Sequence, residues 1–555
     1  MTKSQRALKI IAIIVAVFVP AVAFFTQLAT VGLIGPDEPR YAFIARAMAQ
    51  THDWVTPRLY GQPWFEKPVL YYWIAGIGFR FFKSGEVAAR LPSAIAALLA
   101  ACAIGWFALK EYGERTAWIA VMIFSTTAAA IAFSRAATPD MLFSASLAYA
   151  MVCAGGILRE DGVLRRLQTA AADDSAGSTA STTLSGATGS LSKTTASAAL
   201  FGAWLGAATL AKGPAAIVLA GGSLGLWALC SRNWKALRRF AHWYAVAAFA
   251  IVAGPWYAIC AARNPDFLRT FLFLHNVERY ISPLFQHVQP FWFFGPILLF
   301  ALVPWTILLL PAAAEGWRLW REKSWRNSPG FFVACWVIFP VVFFSASQSK
   351  LPGYILPCIP ALALLFAIGL DRWIAQTKWP TRYLLAAAGL TLWLILYYVA
   401  HQFAPYIPDY FTRDVRAFEI LVFFVVSTTP FLARPRVATG MLAACVLFVL
   451  TIGGIALSIK TPPLSARPLL PARAWFVAHR DEAITVYHVN RNWEYGLNFY
   501  YGRELPEWTP AISGVSVLFT SPERLSELSD KAMVGSISQF GNPPCVRALV
   551  VPDEP

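Results

Sequence analysis

The sequence predicts a multi-pass α-helical membrane protein, and three observations support this fold class. The chain has 555 residues, of which 57% are hydrophobic and only 14% are charged, and its mean hydropathy is +0.53. A soluble chain of this size carries roughly a quarter charged residues. Apolar stretches recur from residue 7 to about residue 459, and each is close to the ~20 residues with which a helix crosses a bilayer.

These stretches predict about 13 membrane-spanning helices within residues 1–459. The first is long and lacks a convincing cleavage site, so we expect a retained span rather than a signal peptide. The predicted spans lie near residues 9–30, 87–108, 116–134, 139–158, 197–211, 214–230, 241–262, 291–313, 330–346, 351–370, 382–402, 416–433 and 437–459.

The loop charges predict the orientation of these spans. Lys and Arg are concentrated in the N-terminal segment and in alternate loops, such as residues 109–115 and 231–239. The positive-inside rule therefore predicts a cytoplasmic N-terminus and places the other loops and the C-terminal region in a bacterial periplasm. The same rule explains the net charge of +16 without nucleic-acid binding, because residues 460–555 contain nine Lys or Arg and ten Asp or Glu.

Three segments differ from the spans in composition. The first periplasmic loop, residues 31–86, contains two aromatic apolar stretches that we expect to form helices at the membrane interface. Residues 165–196 are rich in Ser, Thr, Ala and Gly, which predicts a disordered cytoplasmic loop. Strand-like and helix-like stretches alternate from residue 460 to 555, which predicts a small periplasmic α/β domain.

The predicted periplasmic loops contain many polar residues near membrane depth, where such residues are costly and usually functional. Each has a structural alternative on its own: an acid can cap a helix, and a lysine can extend along apolar surface to lipid phosphates. The candidates are Asp37, Glu38, Arg40, Glu66, Lys67, Arg135, Asp140, Lys212, His275, Glu278, Arg279, Tyr280, Lys350 and Tyr354.

Taken together, these residues predict a site that acts on a phosphorylated lipid. Cations such as Lys67, Lys212 and Arg279 suit a phosphate held at the membrane surface. Carboxylates suit proton abstraction, hydroxyl orientation or a divalent metal. A transporter would instead place charges near the bilayer midplane within repeated halves, and no convincing internal repeat is found in the sequence.

Six motifs give the sequence a family resemblance: GPDEPRYA (35–42), FEKPVLYYW (65–73), ATPDMLF (137–143), AKGP (211–214), HNVERY (275–280) and SKLPGYILP (349–357). They resemble bacterial members of the dolichyl-phosphate-mannose protein mannosyltransferase superfamily, which has the GT-C fold. Within it they look most like the group that transfers 4-amino-4-deoxy-L-arabinose to lipid A. The resemblance implies an inner-membrane glycosyltransferase that takes this sugar from undecaprenyl phosphate and delivers it to a lipid A phosphate at the periplasmic face, with a monomer favoured.

The resemblance also implies roles for the candidate residues. Asp37 corresponds to the acidic catalytic residue of the superfamily, and Asp140 is expected to face the sugar or the acceptor. Glu66 is expected to contribute to a divalent metal site, such as a zinc site, with His275 as the candidate partner. The implied donor-binding residues are Lys67, Lys212 and Arg279 with help from Tyr354, while Arg40 and Tyr41 line the same cavity.

Two alternatives remain open from the sequence. A related transferase delivering another sugar, or using a protein acceptor, would share most of these motifs. A transporter of lipid-linked sugars is the alternative from a different functional class. The stretch NWEYG (492–496) is the part of the C-terminal region that we expect to close over the donor.

Overall fold

The computed structural model describes residues 17–160, 162–164, 186–278, 280, 288–376, 465–467, 483–509, 516–528, 532–540 and 545–552. The helices are α1 (17–25), α2 (Asp37–Thr51), α3 (Leu70–Phe81), α4 (Gly85–Glu111), α5 (Glu114–Ser125), α6 (Ala128–Ser134), α7 (Asp140–Glu160), α8 (Gly186–Lys212), α9 (Ala215–Ser231), α10 (Leu237–Phe240), α11 (Trp243–Arg263), α12 (Phe294–Ala301), α13 (Leu309–Arg321), α14 (Pro329–Ala346), α15 (Ile359–Gln376), α16 (Arg491–Tyr501) and α17 (Pro522–Leu528). A π-helical segment covers Arg269–Glu278.

The described helices confirm the multi-pass fold. Five are long and apolar enough to cross a membrane, and two sharply bent pairs would raise the number to seven. Each predicted span from 87–108 to 351–370 coincides with a helix or with a bent pair. The predicted spans at 382–402, 416–433 and 437–459 lie outside the described residues, so the count of 13 stays a prediction.

Small side chains let the membrane helices pack closely. Helix α4 packs against α5 and α7, and α8 packs against α7 and α11. Fully buried alanines on α4, including Ala97, Ala100 and Ala108, allow this close approach. Large apolar side chains such as Ile251 on α11 remain exposed, as expected for a surface that faces lipid tails.

The expected disordered loop is shorter than the sequence predicted. Helix α8 begins at Gly186, so residues 186–196 are helical, while residues 165–185 lie outside the described part of the chain. Alanine has the highest helix propensity, and residues 196–199 read Ala-Ser-Ala-Ala. The low-complexity composition was therefore a poor guide to where the membrane helix begins.

The loop of residues 31–86, which is predicted to be periplasmic, forms the two predicted helices, α2 and α3, but α2 is largely buried within the protein. Ten of its 15 residues are buried, because α3 packs along it and α16 from the C-terminal region covers it. A short hairpin of β1 (Arg58–Leu59) and β2 (Gln62–Pro63) separates the two helices.

The C-terminal region contains a four-stranded mixed sheet of β3 (Ala483–Tyr487), β4 (Ser516–Thr520), β5 (Ala532–Phe540) and β6 (Cys545–Pro552). The order is β3-β4-β6-β5, with β3 and β4 parallel and the other neighbours antiparallel. The sequence predicted every one of these strands except β5, whose stretch AMVGSISQF has a glycine and two serines among its apolar residues.

At the end of the helical bundle that is predicted to be cytoplasmic, charged loops pair with one another. Arg115 and Thr116 bind the carboxylate of Asp371, and Arg318 binds Glu315 at 2.7 Å. The contacts of Asp371 join α5 to α15, and the Arg318–Glu315 pair lies within α13. Arg115 and Arg318, which belong to the basic segments used to predict the topology, therefore also form ion pairs within the fold.

Candidate active site

The motif GPDEP shapes the turn that presents Asp37. Gly35 has φ +63°, a left-handed conformation that glycine adopts without strain. Pro36 follows as the N-cap of α2, so Asp37 is the first helical residue. Ile34 pairs with Ser465 through a β-bridge, which ties this turn to the C-terminal region.

Asp37 shares a cation with a second acid. The Arg40 guanidinium lies 2.6 Å from Asp37 Oδ1 and 2.9 Å from Glu66 Oε2. The other Glu66 oxygen is 3.4 Å from Lys67 Nζ. Arg40 is only 7% exposed, whereas the Asp37 side chain is 55% exposed and therefore accessible to a substrate.

Arg40 and Tyr41 do not line the cavity in the way that the sequence analysis expected. Tyr41 is buried and packs against the rings of Tyr71 and Tyr72, 6.1 and 6.2 Å away. Arg40 is buried between the two carboxylates. Both residues therefore support the acidic side chains, because the helical turn directs them inward and leaves Asp37 outward.

A second pair is formed by Asp140 and Lys212. Asp140 begins α7 and Lys212 ends α8, and their ion pair places these two helix ends side by side. Lys212 Nζ also lies 5.3 Å from the centre of the Tyr354 ring. The motif AKGP permits this turn, since Gly213 has φ +87° and a Cβ there would meet the Phe271 ring at 2.7 Å.

The two pairs belong to one electrostatic cluster. Asp37 interacts with both Lys67 and Asp140, and Lys67 in turn interacts with Asp140. Residues from four separated motifs thus converge at one end of the bundle. Of the four residues on which the sequence hypothesis depended, the structure brings Asp37, Lys67 and Lys212 together, and Arg279 lies outside the described residues.

The pKa of Asp37 differs in direction of shift from what its cationic neighbours alone would give. Desolvation raises the pKa of Asp37 above its usual value of 3.8; Arg40 and Lys67 oppose this shift, and Glu66 and Asp140 add to it. Burial alone would lower the pKa of Arg40, but Glu66, Tyr41 and Asp37 raise it above its ordinary value. Arg40 is therefore a permanent cation, while Asp37 is an acid whose ionisation is opposed chiefly by desolvation.

Glu66 and His275 line the same cavity of about 550 Å³, together with Trp64, Arg263 and Asp266. Within the described residues, however, no group of three or more His, Cys, Asp or Glu side chains could hold a metal ion. A catalytic zinc site normally has three protein ligands, and both Glu66 oxygens already face cations. The described donor set thus fits a metal only in part, and we derive no step through one.

The sequence analysis missed a clamp beside the catalytic candidate. The carboxylate of Glu38 accepts hydrogen bonds from Arg90 at 2.6 and 3.2 Å and from the amides of Ile34 and Ala137 at 2.7 and 2.6 Å. Arg90 also donates to three carbonyls of residues 28–32. An arginine within an apolar helix was the available signal, because such residues rarely lack a partner.

Two other polar candidates have structural partners. Arg135 donates to the Ala23 carbonyl and the Thr26 hydroxyl. Lys350 is buried and donates to the carbonyls of Gln289 and Ser347. Arg135 ties a loop to α1, Lys350 ties two loops together, and neither is among the groups that act on Asp37.

Sequence comparisons relate parts of this chain to known proteins. The family model described as dolichyl-phosphate-mannose-protein mannosyltransferase matches residues 66–162. Two curated relatives, from Edwardsiella ictaluri and Erwinia tasmaniensis, are each 32% identical over 60% of this chain and 54% of their own length. Both are named undecaprenyl phosphate-alpha-4-amino-4-deoxy-L-arabinose arabinosyl transferase. The chain therefore matches about half the length of these relatives.

Solved structures extend the similarity to the whole fold. The crystal structure of ArnT from Cupriavidus metallidurans bound to undecaprenyl phosphate has a TM-score of 0.73 with 23% identity, covering 97% of each chain. The archaeal oligosaccharyltransferase AglB from Archaeoglobus fulgidus has a TM-score of 0.50 with 13% identity, covering 91% of this chain and 65% of its own. The chain therefore has the GT-C fold of these structures, and part of its sequence is similar to proteins named as aminoarabinosyl transferases.

Proposed function

We propose that this protein transfers 4-amino-4-deoxy-L-arabinose from undecaprenyl phosphate to a phosphate of lipid A at the periplasmic face of the inner membrane. The observation that carries the proposal is the meeting of the accessible Asp37 carboxylate with Lys67 and Lys212 at one end of the bundle. The curated relatives are named for transfer of aminoarabinose from undecaprenyl phosphate, and the similar crystal structure holds undecaprenyl phosphate. The lysines supply the charge that such a lipid phosphate needs.

The chemistry assigns different roles to the acid and the cations. When the bond between the sugar and the carrier phosphate breaks, the leaving phosphate gains negative charge. Lys67 and Lys212 stabilise this charge, and in a partly dehydrated site the stabilisation is stronger than in water. An acceptor phosphate is already anionic and needs little activation, so Asp37 orients the amino sugar or stabilises positive charge at its anomeric carbon.

The reaction is a substitution at the anomeric carbon. An acceptor phosphate oxygen forms the new bond, and the carrier phosphate leaves with the bonding electron pair. Direct displacement gives inversion, whereas attack by a carboxylate first would give retention through a covalent intermediate. The anomeric configuration of the product distinguishes these two routes.

The decisive experiment is mass spectrometry of lipid A. The gene is expressed in a bacterial host that lacks its own transferase but makes the donor, and we expect lipid A to gain one aminopentose. The matched control is Asp37→Asn, which should give unmodified lipid A. An added hexose or uronic acid, or unchanged lipid A with folded protein present, would contradict the aminoarabinose assignment.

A purified-protein assay separates a transferase from a transporter of lipid-linked sugars. In detergent micelles no membrane divides two compartments, so a transporter has no measurable task. A transferase still converts the donor and acceptor to product. Product formation in micelles therefore supports the proposal, and its absence with active transport in vesicles would favour the transporter.

The metal hypothesis remains a separate proposal that concerns only Glu66 and His275, because these two residues line one cavity. Its test is elemental analysis of the wild type against Glu66→Ala after purification without chelators. A stoichiometric divalent metal in the wild type that is lost in the variant would make Glu66 a ligand. Equal metal content in both proteins would eliminate it.

A further inference from the structure

Three aromatic rings surround the guanidinium group of Arg40. Its central carbon lies 5.2 Å from the ring centre of Tyr41, 5.4 Å from that of Trp64 and 5.6 Å from that of Tyr495. Distances within about 6 Å of a ring face are typical of cation–π contacts. We call these three rings the Arg40 cage. Two of them belong to the first periplasmic loop, and the third comes from a helix more than 400 residues further along the chain.

Helix α16 packs with one face against the main core, which includes the membrane helices, and with the other face against the C-terminal sheet. Tyr495 and Phe499, four residues apart, pack into the main core. Trp493 and Leu497 pack into the smaller core of the C-terminal sheet, with Tyr501 beside them. Residues four apart lie on one helical face, so the orientation of the Tyr495 ring follows from the amphipathic pattern.

Several contacts hold α16 against α2. The Arg46 guanidinium donates to the Phe499 carbonyl at 2.7 Å and lies 4.4 Å from its ring centre. The Tyr500 hydroxyl accepts from the Leu33 amide at 2.9 Å, and it donates to Glu86 at 3.1 Å. The helix is therefore fixed on both sides of the turn that carries Asp37.

We infer that Tyr495 is a positioning residue of the candidate site, which acts through Arg40. The C-terminal helix completes the Arg40 cage and so keeps Arg40 between the carboxylates of Asp37 and Glu66. Without the third ring, water reaches the guanidinium and the side chain gains freedom to leave the two acids. The C-terminal region would then control the geometry of a site whose other residues all precede residue 360.

This inference rests on the proposed function, because its first readout is turnover. Turnover is measured as release of undecaprenyl phosphate from the aminoarabinose donor by purified full-length protein in detergent. We expect Tyr495→Leu to lower the rate per folded molecule by about tenfold, the range of a partly desolvated cation–π contact. Tyr495→Phe keeps a ring face and should retain the wild-type rate.

The matched control is Tyr501→Leu. It removes a ring from the same helix, but that ring lies 6.1 Å from Phe519 on the sheet side and not against Arg40. We expect it to lower thermal stability without reducing turnover per folded molecule. Equal losses in Tyr495→Leu and Tyr501→Leu would overturn the inference, as would a Tyr495→Phe variant as impaired as Tyr495→Leu.

A second readout does not require turnover. The groups that act on Asp37 are Arg40, Glu66, Lys67 and Asp140, and displacement of Arg40 removes the main positive one. Asp37 should then hold its proton to higher pH. Carbodiimide-promoted amine labelling, which needs the protonated acid, and peptide mass spectrometry report this directly. We expect labelling of Asp37 to persist to higher pH in Tyr495→Leu than in Tyr495→Phe, and coincident profiles would contradict the cage.

The two proposals can fail separately. If the wild type releases the carrier lipid but lipid A gains no aminopentose, the proposed acceptor is wrong, and the Tyr495 comparison still stands on carrier release. If the wild type modifies lipid A but all three variants match it in rate and in labelling, the positioning role of Tyr495 is wrong and the function stands.

Discussion

Asp37 and Glu38 are adjacent acids at the start of one helix, yet their surroundings differ completely. The Glu38 side chain is 8% exposed and accepts four hydrogen bonds, two of them from an arginine. Asp37 is more than half exposed, and it shares its arginine with Glu66. The comparison teaches that a carboxylate with every acceptor position filled holds the fold together, whereas one left accessible is free to act on a substrate.

The Asp37 side of the comparison is tested by Asp37→Asn. The change keeps the size of the side chain and removes its negative charge, so we expect turnover to fall by about 10³-fold, comparable to the loss of one preorganised electrostatic group. Thermal unfolding should be almost unchanged, because the residue is accessible. Turnover within a few fold of the wild type would refute the catalytic assignment.

The Glu38 side is tested by Glu38→Gln, which leaves Arg90 buried without its charged partner. Breaking a buried ion pair in this way destabilises a protein by about 3–5 kcal/mol. We therefore expect a large loss of thermal stability and of folded yield. A variant as stable as Asp37→Asn would show that the clamp does not hold the loop.

The two lysines extend the comparison to the donor. A hydrogen bond to a charged group contributes about 1.5–3 kcal/mol, so we expect Lys67→Ala and Lys212→Ala each to weaken donor binding by at least tenfold. Lys110→Ala in the last turn of α4 is the control, since its Nζ packs over the Trp106 ring at 4.5 Å and the residue is not among the groups that act on Asp37. Binding can be measured by titration with the donor in detergent. If Lys67→Ala binds the donor with unchanged affinity, the alternative that Lys67 extends to membrane lipid phosphates would be favoured.

The smallest expected effect is a shift in the pH dependence of kcat/KM, which reports the ionisation of Asp37. If Asp37 works in its ionised form, activity falls as the pH decreases through its pKa, and desolvation raises that pKa. The acid limb of kcat/KM should therefore lie above the usual aspartate value of about 3.9. Arg40→Gln removes a charge that lowers the pKa of Asp37, so it should move the limb further upward. Arg58→Gln, which removes a pair with Asp53 and a hydrogen bond to the Gly61 carbonyl, should leave the limb in place.

The composition and motifs of the sequence determined the class of this protein. Apolar stretches of bilayer length require helices that satisfy their own backbone groups, and the described helices follow them. The motifs DEPRYA, FEKP, ATPD and AKGP located Asp37, Lys67, Asp140 and Lys212 without the structure. Gly35, just before DEPRYA, and Gly213, within AKGP, have positive φ and form the turns beside Asp37 and Lys212.

Only the tertiary structure decided which polar residues share a site and which hold the fold. The sequence listed Asp37, Glu38 and Arg40 together, and it could not show that Arg90 from a distant helix and two backbone amides fill the acceptors of Glu38. It also could not show that Tyr495 reaches Arg40, because that contact depends on how the C-terminal helix lies against α2. Local sequence fixes the periodicity and turns of a chain, whereas hydrogen-bond satisfaction and desolvation depend on residues brought together from remote segments.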